Sequence, residues 1–456
     1  METFEIYLPL IMAAALGLLL FSGYPVALVL SGVGIGFALI GISLDLMSAM
    51  EMYNIPARAY GMIGENLIYP AVPMLIFMGI LLERSQIARE LLECLQVIMR
   101  RVPASLAIAT AVIGLILAPA AGLVGASVAT IGLIALPTML QRGYRPSFAS
   151  GTVASAGTLG IIFPPAIMLF FLADLLGIRI AVMFTVTIVP VGIIFSLMLA
   201  YFLIRAILDP TVAPKAESLP RMTVAQLLLY ILRSFAFPTA LIVMILGSIV
   251  AGIATPTQSG AVGAAGAVLL TILNRSISLS MLADALRQTV KMTGMVFFVV
   301  IGASVFSYTF RSLGGDELIF DLMEAAGLGA WGMLFLVLGV IFALGFIIDW
   351  IEIALITLPI FFPILSGLDF GDAFGSREQM MAWIAVLIAI NLQTSFLTPP
   401  FGFALFFLKG VSPPQISLLD IYKGAAPVVL LQLLALAIII FVPDLVLWLP
   451  YTILGN

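Results

Sequence analysis

The chain has 456 residues, of which 63% are hydrophobic and only 9% charged, 19 basic against 23 acidic. A soluble domain carries about a quarter of its residues as Asp, Glu, Lys or Arg, so this chain has too little polar surface for water and belongs in a bilayer, where a spanning helix needs about 20 apolar residues. The lack of histidine and the single cysteine, Cys94, exclude a histidine triad or proton relay, a disulfide framework and a Cys/His metal cluster, and no G-x-x-x-x-G-K-[ST] loop is present to hold a nucleotide.

The N-terminal segment opens with Glu2 and Glu5 instead of the basic region of a signal peptide, so it reads as a first span ending near Phe21. Further spans are predicted near 24–42, 67–82, 146–173, 180–204, 292–310, 382–408 and 424–443. Residues 102–141 carry no charge and form either two complete spans or a hairpin that enters and leaves on one side. The uncharged run 234–274, rich in Gly, Pro and Thr between Gly252 and Gly263, reads as two spans, and 325–368 is apolar except for Asp349 and Glu352. Between spans, 83–101 places Ile87, Leu91, Leu95 and Ile98 on one stripe with Arg84, Arg89, Glu90 and Glu93 elsewhere, the pattern of a helix lying at the interface. Segment 221–233 has a similar pattern, and Cys94 reads as a small apolar filler.

Lys and Arg favour the cytoplasmic side. If 83–101 is cytoplasmic, so are 142–145, 205–233, 275–291 and 409–423, and these segments hold 15 of the 19 basic residues. The other side keeps Arg58, Arg179, Arg311 and Arg377, which puts both termini outside.

Landmarks recur along the chain. Gly23-Tyr24-Pro25-Val26 precedes a helix studded with Gly32, Gly34 and Gly36; Ala254-Thr255-Pro256-Thr257 precedes one with Gly260, Gly263 and Gly266. Gly79 matches Gly302, and Leu136-Pro137 matches Leu358-Pro359. Phe163-Pro164-Pro165 with Leu169 to Leu172 matches Thr398-Pro399-Pro400 with Leu405 to Leu408. Four landmarks in one order at nearly constant offset indicate two related halves. The run 102–141 begins and ends on the cytoplasmic side while 325–368 begins and ends outside, so the halves are predicted to form an inverted repeat, an organisation frequent in secondary transporters.

A diproline in a span removes backbone donors and breaks the helix, and irregular backbone survives at membrane depth only inside protein or along a cavity. The first break follows Ser155-Ala156-Gly157-Thr158-Leu159-Gly160 and the second follows Asn391 to Thr398. Hydroxyls, an amide and free carbonyls gathered there suit a hard monovalent cation such as Na⁺, and helix N-termini suit an anion. Each break is predicted to face a hairpin tip, Ala121 to Ser127 in the first half and Gly345 to Trp350 in the second. The small residues at the first tip serve equally for close helix packing. Asp349 and Glu352 share one helical face and can bind a cation, carry a proton or help recognise a substrate, or else reach water at the hairpin mouth.

At these residues the sequence resembles the large membrane subunit of the tripartite ATP-independent periplasmic (TRAP) transporters. The matching pieces include Gly23-Tyr-Pro-Val-Ala27, Pro73-Met-Leu-Ile-Phe-Met-Gly79, Arg142-Gly-Tyr144, Ile162-Phe-Pro-Pro165, Ala254-Thr-Pro-Thr257, Leu358-Pro-Ile-Phe-Phe-Pro363 and the block Asn391 to Gly402. The resemblance implies an all-α polytopic membrane protein with two re-entrant hairpins and two broken helices, an elevator of the divalent-anion/sodium symporter kind. It divides the chain into scaffold helices with an interface helix (1–101), a first transport-domain half (102–179), scaffold helices with a cytoplasmic arm (180–324), a second transport-domain half (325–410) and a C-terminal helix (411–456).

It also implies sodium-driven import of a small carboxylate across the bacterial inner membrane, with a small four-helix membrane subunit, a soluble periplasmic binding protein and membrane lipid as partners. No nucleic acid, catalytic residue or cofactor is implied, and sodium is the only metal. Carried onto this chain, cations would be held by Gly122, Gly125 and Ser127 facing Gly157, Thr158, Gly160 and Pro164, and by Gly345 and Asp349 facing Thr394, Ser395 and Thr398. The substrate would lie between, near Ser127, Asn391, Thr394, Pro165 and Pro400. Alternatives are a self-sufficient symporter without a binding protein, proton coupling through Asp349, and an intramembrane enzyme using Asp349 and Glu352, for which no nucleophile motif or metal cluster is present.

Overall fold

The computed structural model describes residues 6–85, 87–99, 101–214, 223, 225, 228, 231–325 and 327–455, with 87–89, 118–121, 233–234 and 323–324 described in backbone only. Glu2, Glu5, the side chains of Ile87 and Arg89, and most of the expected interface segment 221–233 lie outside the described residues. Among the described residues there is no strand, as expected where each peptide group must find its partner within its own segment.

The first half comprises α1 (Leu8–Leu20), α2 (Val26–Ser43), α3 (Asn54–Gly64), α4 (Ala71–Arg84), α5 (Ile87–Ile98), α6 (Ser105–Ala121), α7 (Val124–Gln141), α8 (Pro146–Leu159), α9 (Ile167–Leu175) and α10 (Ile180–Leu208). The second comprises α11 (Phe237–Val250), α12 (Pro256–Leu273), α13 (Leu279–Ser312), α14 (Gly315–Ala325), α15 (Ala330–Leu344), α16 (Trp350–Ser366), α17 (Arg377–Phe396), α18 (Phe403–Val411), α19 (Leu418–Phe441) and α20 (Asp444–Leu454). Seven of these helices are long and apolar enough to cross a bilayer, and the pair formed by 146–162 and 167–175, bent by 45°, makes an eighth.

Some boundaries differ from the sequence reading for local reasons. Helix α13 runs unbroken for 34 residues, about 50 Å at 1.5 Å per residue, because Ser278 caps its start through Met281 N at 3.1 Å and no proline interrupts it. Most of the expected cytoplasmic segment 275–291 is thus the first part of a helix that continues into the span. The predicted span at 67–82 begins only at Ala71, after irregular residues that follow Glu65. Helix α1 has 13 residues, shorter than a full span. On α5, Leu91, Cys94 and Leu95 are buried, and the helix packs on α6, whereas Ile98 is exposed.

Matched landmarks pack crosswise. Helix α2 lies on α13 and α4 on α12; α8 lies on α19 and α10 on α17; α7 lies on α18 and α16 on α9. Small residues set the closest approaches, as they do where lipid supplies no hydrophobic drive and contact must come from close packing. A Cβ on Gly34 would fall 3.0 Å from the Phe306 nitrogen, and one on Gly302 would fall 2.7 Å from the Ala27 carbonyl oxygen. Gly151 and Gly424 meet backbone to backbone where α8 crosses α19.

Ion pairs among the described residues join only segments that the charge count puts on one side. Arg84 reaches Asp284 at 3.7 Å and Arg145 reaches Asp209 at 3.1 Å, all four in segments expected to be cytoplasmic. Arg179–Glu378 (2.9 Å) and Arg311–Asp316 (3.4 Å) join segments expected on the other side.

Replacing Gly424 by Ala drives a methyl group into the Ser147 carbonyl and the Gly151 backbone, so Gly424→Ala should destabilise the purified protein by about 1–3 kcal/mol. Gly36→Ala, which meets nothing within 4 Å, should stay within about 0.5 kcal/mol of the parent in the same unfolding measurement.

Candidate functional site

The first hairpin turns at Gly122, whose φ of +73° suits a residue without Cβ. Leu123 is extended, and α7 starts at Val124. Gly125 packs against the Phe407 ring, so α18, which follows the second break, closes over this tip. Ser127 is buried, and its Oγ has no hydrogen-bond partner among the described residues.

The first break follows one turn later in the chain than the last hydroxyl of α8. A 3₁₀ turn, Gly160–Ile162, ends the helix, Phe163 is extended, and Pro164 and Pro165, joined by a cis bond, are both buried. Gly157 sits so close to α7 that a Cβ would be 2.7 Å from Val128 Cα, which places the break against the segment carrying Ser127. Thr158 Oγ1 donates to Ala154 O and Ser155 O, both at 3.2 Å. A hydroxyl whose hydrogen is committed to a helix carbonyl keeps its lone pairs for another partner.

The second half repeats this arrangement. Helix α15 ends at Gly345, which lies directly on Ser395 Oγ of α17. Thr394 Oγ1 donates to Ile390 O (2.7 Å), Ser395 Oγ to Leu392 O (2.7 Å) and Thr398 Oγ1 to Thr394 O (2.8 Å), which leaves three oxygens with lone pairs near the break. Pro399 and Pro400 are again joined by a cis bond, and Gly402 turns the chain with φ +48° into α18. Asp349 is 8% exposed and caps α16, accepting from Trp350 N at 2.8 Å; Glu352, one turn on, is half-buried.

The two tips touch. Trp350 Nε1 donates to the Gly122 carbonyl at 3.1 Å, and the Trp350 ring lies 5.8 Å from that of Phe171 just beyond the first break. Helix α17 also contacts the 160–162 turn, so the two interruptions converge. Two expected residues are placed otherwise. Asn391 spends its amide on the Leu338 carbonyl of α15 at 2.8 Å. Pro400 is exposed, and its carbonyl accepts from the Tyr422 hydroxyl.

Gln432 escapes the sequence reading, which names the run Asn391 to Thr398 without giving Gln393 a role of its own. Gln393 and Gln432 are fully buried, with neither amide atom partnered among the described residues. A single amide within an apolar run was the available signal for each, because such a group in a span is costly without a role. A cavity of about 510 Å³ separates α3 and α13 from α16 and the end of α9, with Arg58, Asp174, Ser304, Tyr308, Arg311 and Pro359 in its wall. The Arg58 guanidinium sits 4.7 Å above the Tyr308 ring, and Arg311 donates to the Pro359 carbonyl. Among the described residues no group of three His, Cys, Asp or Glu is placed to hold a metal ion. The hairpin and break sets offer oxygen donors alone, which suit a hard cation over a soft one.

Apolar helices broken in duplicate, with hydroxyl-rich interruptions meeting two hairpin tips, define a membrane permease. Residues 13–445 match the family model of the tripartite ATP-independent periplasmic transporter, DctM component. The chain belongs to this family, as its large membrane subunit.

Similar proteins include the C4-dicarboxylate TRAP transporter large permease protein of Pseudomonas aeruginosa, 27% identical over 85% of this chain and 87% of that one. The ectoine/5-hydroxyectoine large permease of Ruegeria pomeroyi is 27% identical over 94% and 96% of the two chains, and the 2,3-diketo-L-gulonate large permease of Escherichia coli is 24% identical over 94% and 98%. The crystal structure of the Alcanivorax borkumensis YdaH transporter shares the fold, with a TM-score of 0.57 and 13% identity over 90% of this chain and 91% of that one.

Trp350→Phe keeps most of the ring packing but removes the donor to Gly122. It should lower stability by about 1 kcal/mol in a thermal-unfolding measurement on the purified protein.

Proposed function

We propose that this chain is the sodium-coupled permease of a binding-protein-dependent importer for a small organic acid in a bacterial inner membrane. The observation that carries the reading is the meeting of each hairpin tip with a break whose hydroxyl hydrogens are already committed, at Gly157–Val128 and at Gly345–Ser395. Oxygens held in that state can replace part of the water around a Na⁺ ion, and the buried, unpartnered Ser127 hydroxyl adds one more ligand. The substrate carboxylate lies between the two ion sites, with uncapped helix starts and the bound cations compensating its charge.

The crosswise packing of matched helices is what a two-fold relation between halves produces, and with the charge count it supports an inverted repeat. Hairpins and broken helices then move together against α2, α4, α12 and α13, exposing the site to one side and then the other. The relatives' named substrates, C4-dicarboxylates and 2,3-diketo-L-gulonate, support a carboxylate. Capture falls to a soluble periplasmic protein, and a small membrane subunit completes the assembly. Both termini face the periplasm.

In proteoliposomes containing both membrane subunits and the binding protein, uptake should require an inward sodium gradient. Ser127→Ala should cut uptake by about tenfold, equivalent to about 1.4 kcal/mol of lost coordination, without lowering abundance, because no intramolecular hydrogen bond is lost. Thr394→Ser, which keeps the hydroxyl, should retain uptake. Transport driven by a pH gradient without sodium would sink the coupling assignment, and undiminished uptake without the binding protein would replace it by a self-sufficient carrier.

A further inference from the structure

Three basic residues that are far apart in sequence, Arg145, Arg205 and Lys423, line one cavity of about 370 Å³. Arg145 immediately precedes α8, Arg205 lies in the last turn of α10, and Lys423 lies in the second turn of α19. All three come from segments that the charge count puts on the cytoplasmic side. Among the described residues that line this cavity none is a carboxylate.

The nearby acids are already engaged. Asp209 accepts from the Thr211 hydroxyl at 2.6 Å and pairs with Arg145 at 3.1 Å. Those contacts, from Thr211 first, hold its carboxyl below the usual range, so it is ionised and offsets Arg145. Asp420 is bound by Ser417 in the cap of α19. Neither Arg205 nor Lys423 forms an ion pair among the described residues. With Asp209 beside Arg145 and Asp420 acting on Lys423, the cavity keeps about one positive charge in excess of the neighbouring acids, carried by Arg205. The first turn of α8 adds to the same field, since no side chain caps it.

The rest of the wall combines Ser147 and Tyr201 with the apolar Phe148, Val212 and Pro427. On the bilayer side, exposed apolar side chains continue along both helices, Ile204 on α10 and Leu430 on α19. A site for a freely dissolved anion has no use for an apolar track leading away from it. An amphiphile with an anionic head needs both.

We propose that this cavity binds the phosphate of an anionic phospholipid in the cytoplasmic leaflet, with Arg205 and Lys423 on the phosphate oxygens and the acyl chains along Ile204 and Leu430. A planar guanidinium takes two phosphate oxygens at once, and the lysine ammonium reaches in from the exposed side as a point charge. Because Gly424 packs on the backbone of Ser147 and Gly151 at the same place, a headgroup there ties α8 to α10 and α19. The proposal depends on the membrane placement of these helices and not on the substrate or the coupling ion.

The test uses the purified full-length chain, stripped of lipid in a zwitterionic detergent and supplied with phosphatidylglycerol, phosphatidylcholine or inorganic phosphate. Native mass spectrometry and thermal unfolding are read together. Phosphatidylglycerol should remain bound and raise the unfolding midpoint, and phosphatidylcholine should do neither. Lys423→Gln should weaken phosphatidylglycerol binding by about fivefold, the effect of one basic residue at an anionic lipid surface, and adding Arg205→Gln should abolish retention. Arg287→Gln, at the exposed Asp284 pair, should leave binding unchanged. If the double variant does not fold, Lys423→Gln carries the test alone, because its side chain is exposed. Equal retention of phosphatidylglycerol by parent and variants, equal protection by phosphatidylcholine, or a full thermal shift with inorganic phosphate alone would each overturn the lipid assignment.

Discussion

A peptide group that leaves its helix inside hydrocarbon has no water to turn to, so the protein around it must supply both partners and cover. This chain accepts that constraint twice, at 163–166 and at 397–402, where prolines remove the donors that would continue a helix. The cover at the first break is complete, with Pro164 and Pro165 buried and Gly157 drawn onto Val128. At the second, Ser395 is pressed onto Gly345 while Tyr422 takes the Pro400 carbonyl from the outside. The hairpins have the length and the small tips they have because something must reach these breaks and bury them.

Cohesion follows from the same circumstance. Lipid chains are as apolar as leucine, so helices gain little by hiding leucine from them and must associate through close contact and internal hydrogen bonds. Glycine supplies the contact where Gly114 meets Ala156, Gly151 meets Gly424 and Gly302 meets Ala27. The hydrogen bonds come from side chains aimed at carbonyls on other elements: Trp350 Nε1 to Gly122, Asn391 Nδ2 to Leu338 and Trp383 Nε1 to Ile439 at 2.9 Å. The first of these joins the two hairpin tips, so the hairpins of the two halves are tied to each other.

Apart from Asp349 and Glu352 at the second hairpin tip, charge gathers at the two ends and differs between them. At one end Arg58 and Arg311 face α16 and the end of α9 across a cavity, Arg311 holding the Pro359 carbonyl of α16. At the other, Arg145, Arg205 and Lys423 gather where three helices begin or end. The first cavity lies between elements that must slide past each other if the permease works as an elevator. The second is built on helix ends clamped by a glycine crossing, and it suits a ligand that stays.

The sequence by itself determined the bilayer location, most of the long spans, the two interruptions and the family, because apolar run length, basic-residue bias and diproline motifs each act locally through the solvation of the backbone. It also pointed to a tip near Gly122, where small residues permit a tight turn, while at the second tip only Gly345 meets its break closely, on Ser395. Only the tertiary structure decided that Asn391 is spent on Leu338, that Pro400 faces outward, that Gln393 and Gln432 are buried without partners, and that Trp350 joins the tips. Each of these depends on which residues from distant segments come within hydrogen-bond reach. The cavity formed by Arg145, Arg205 and Lys423 has the same origin: three unremarkable charges in sequence become a site when the folding of α8, α10 and α19 brings them together in space.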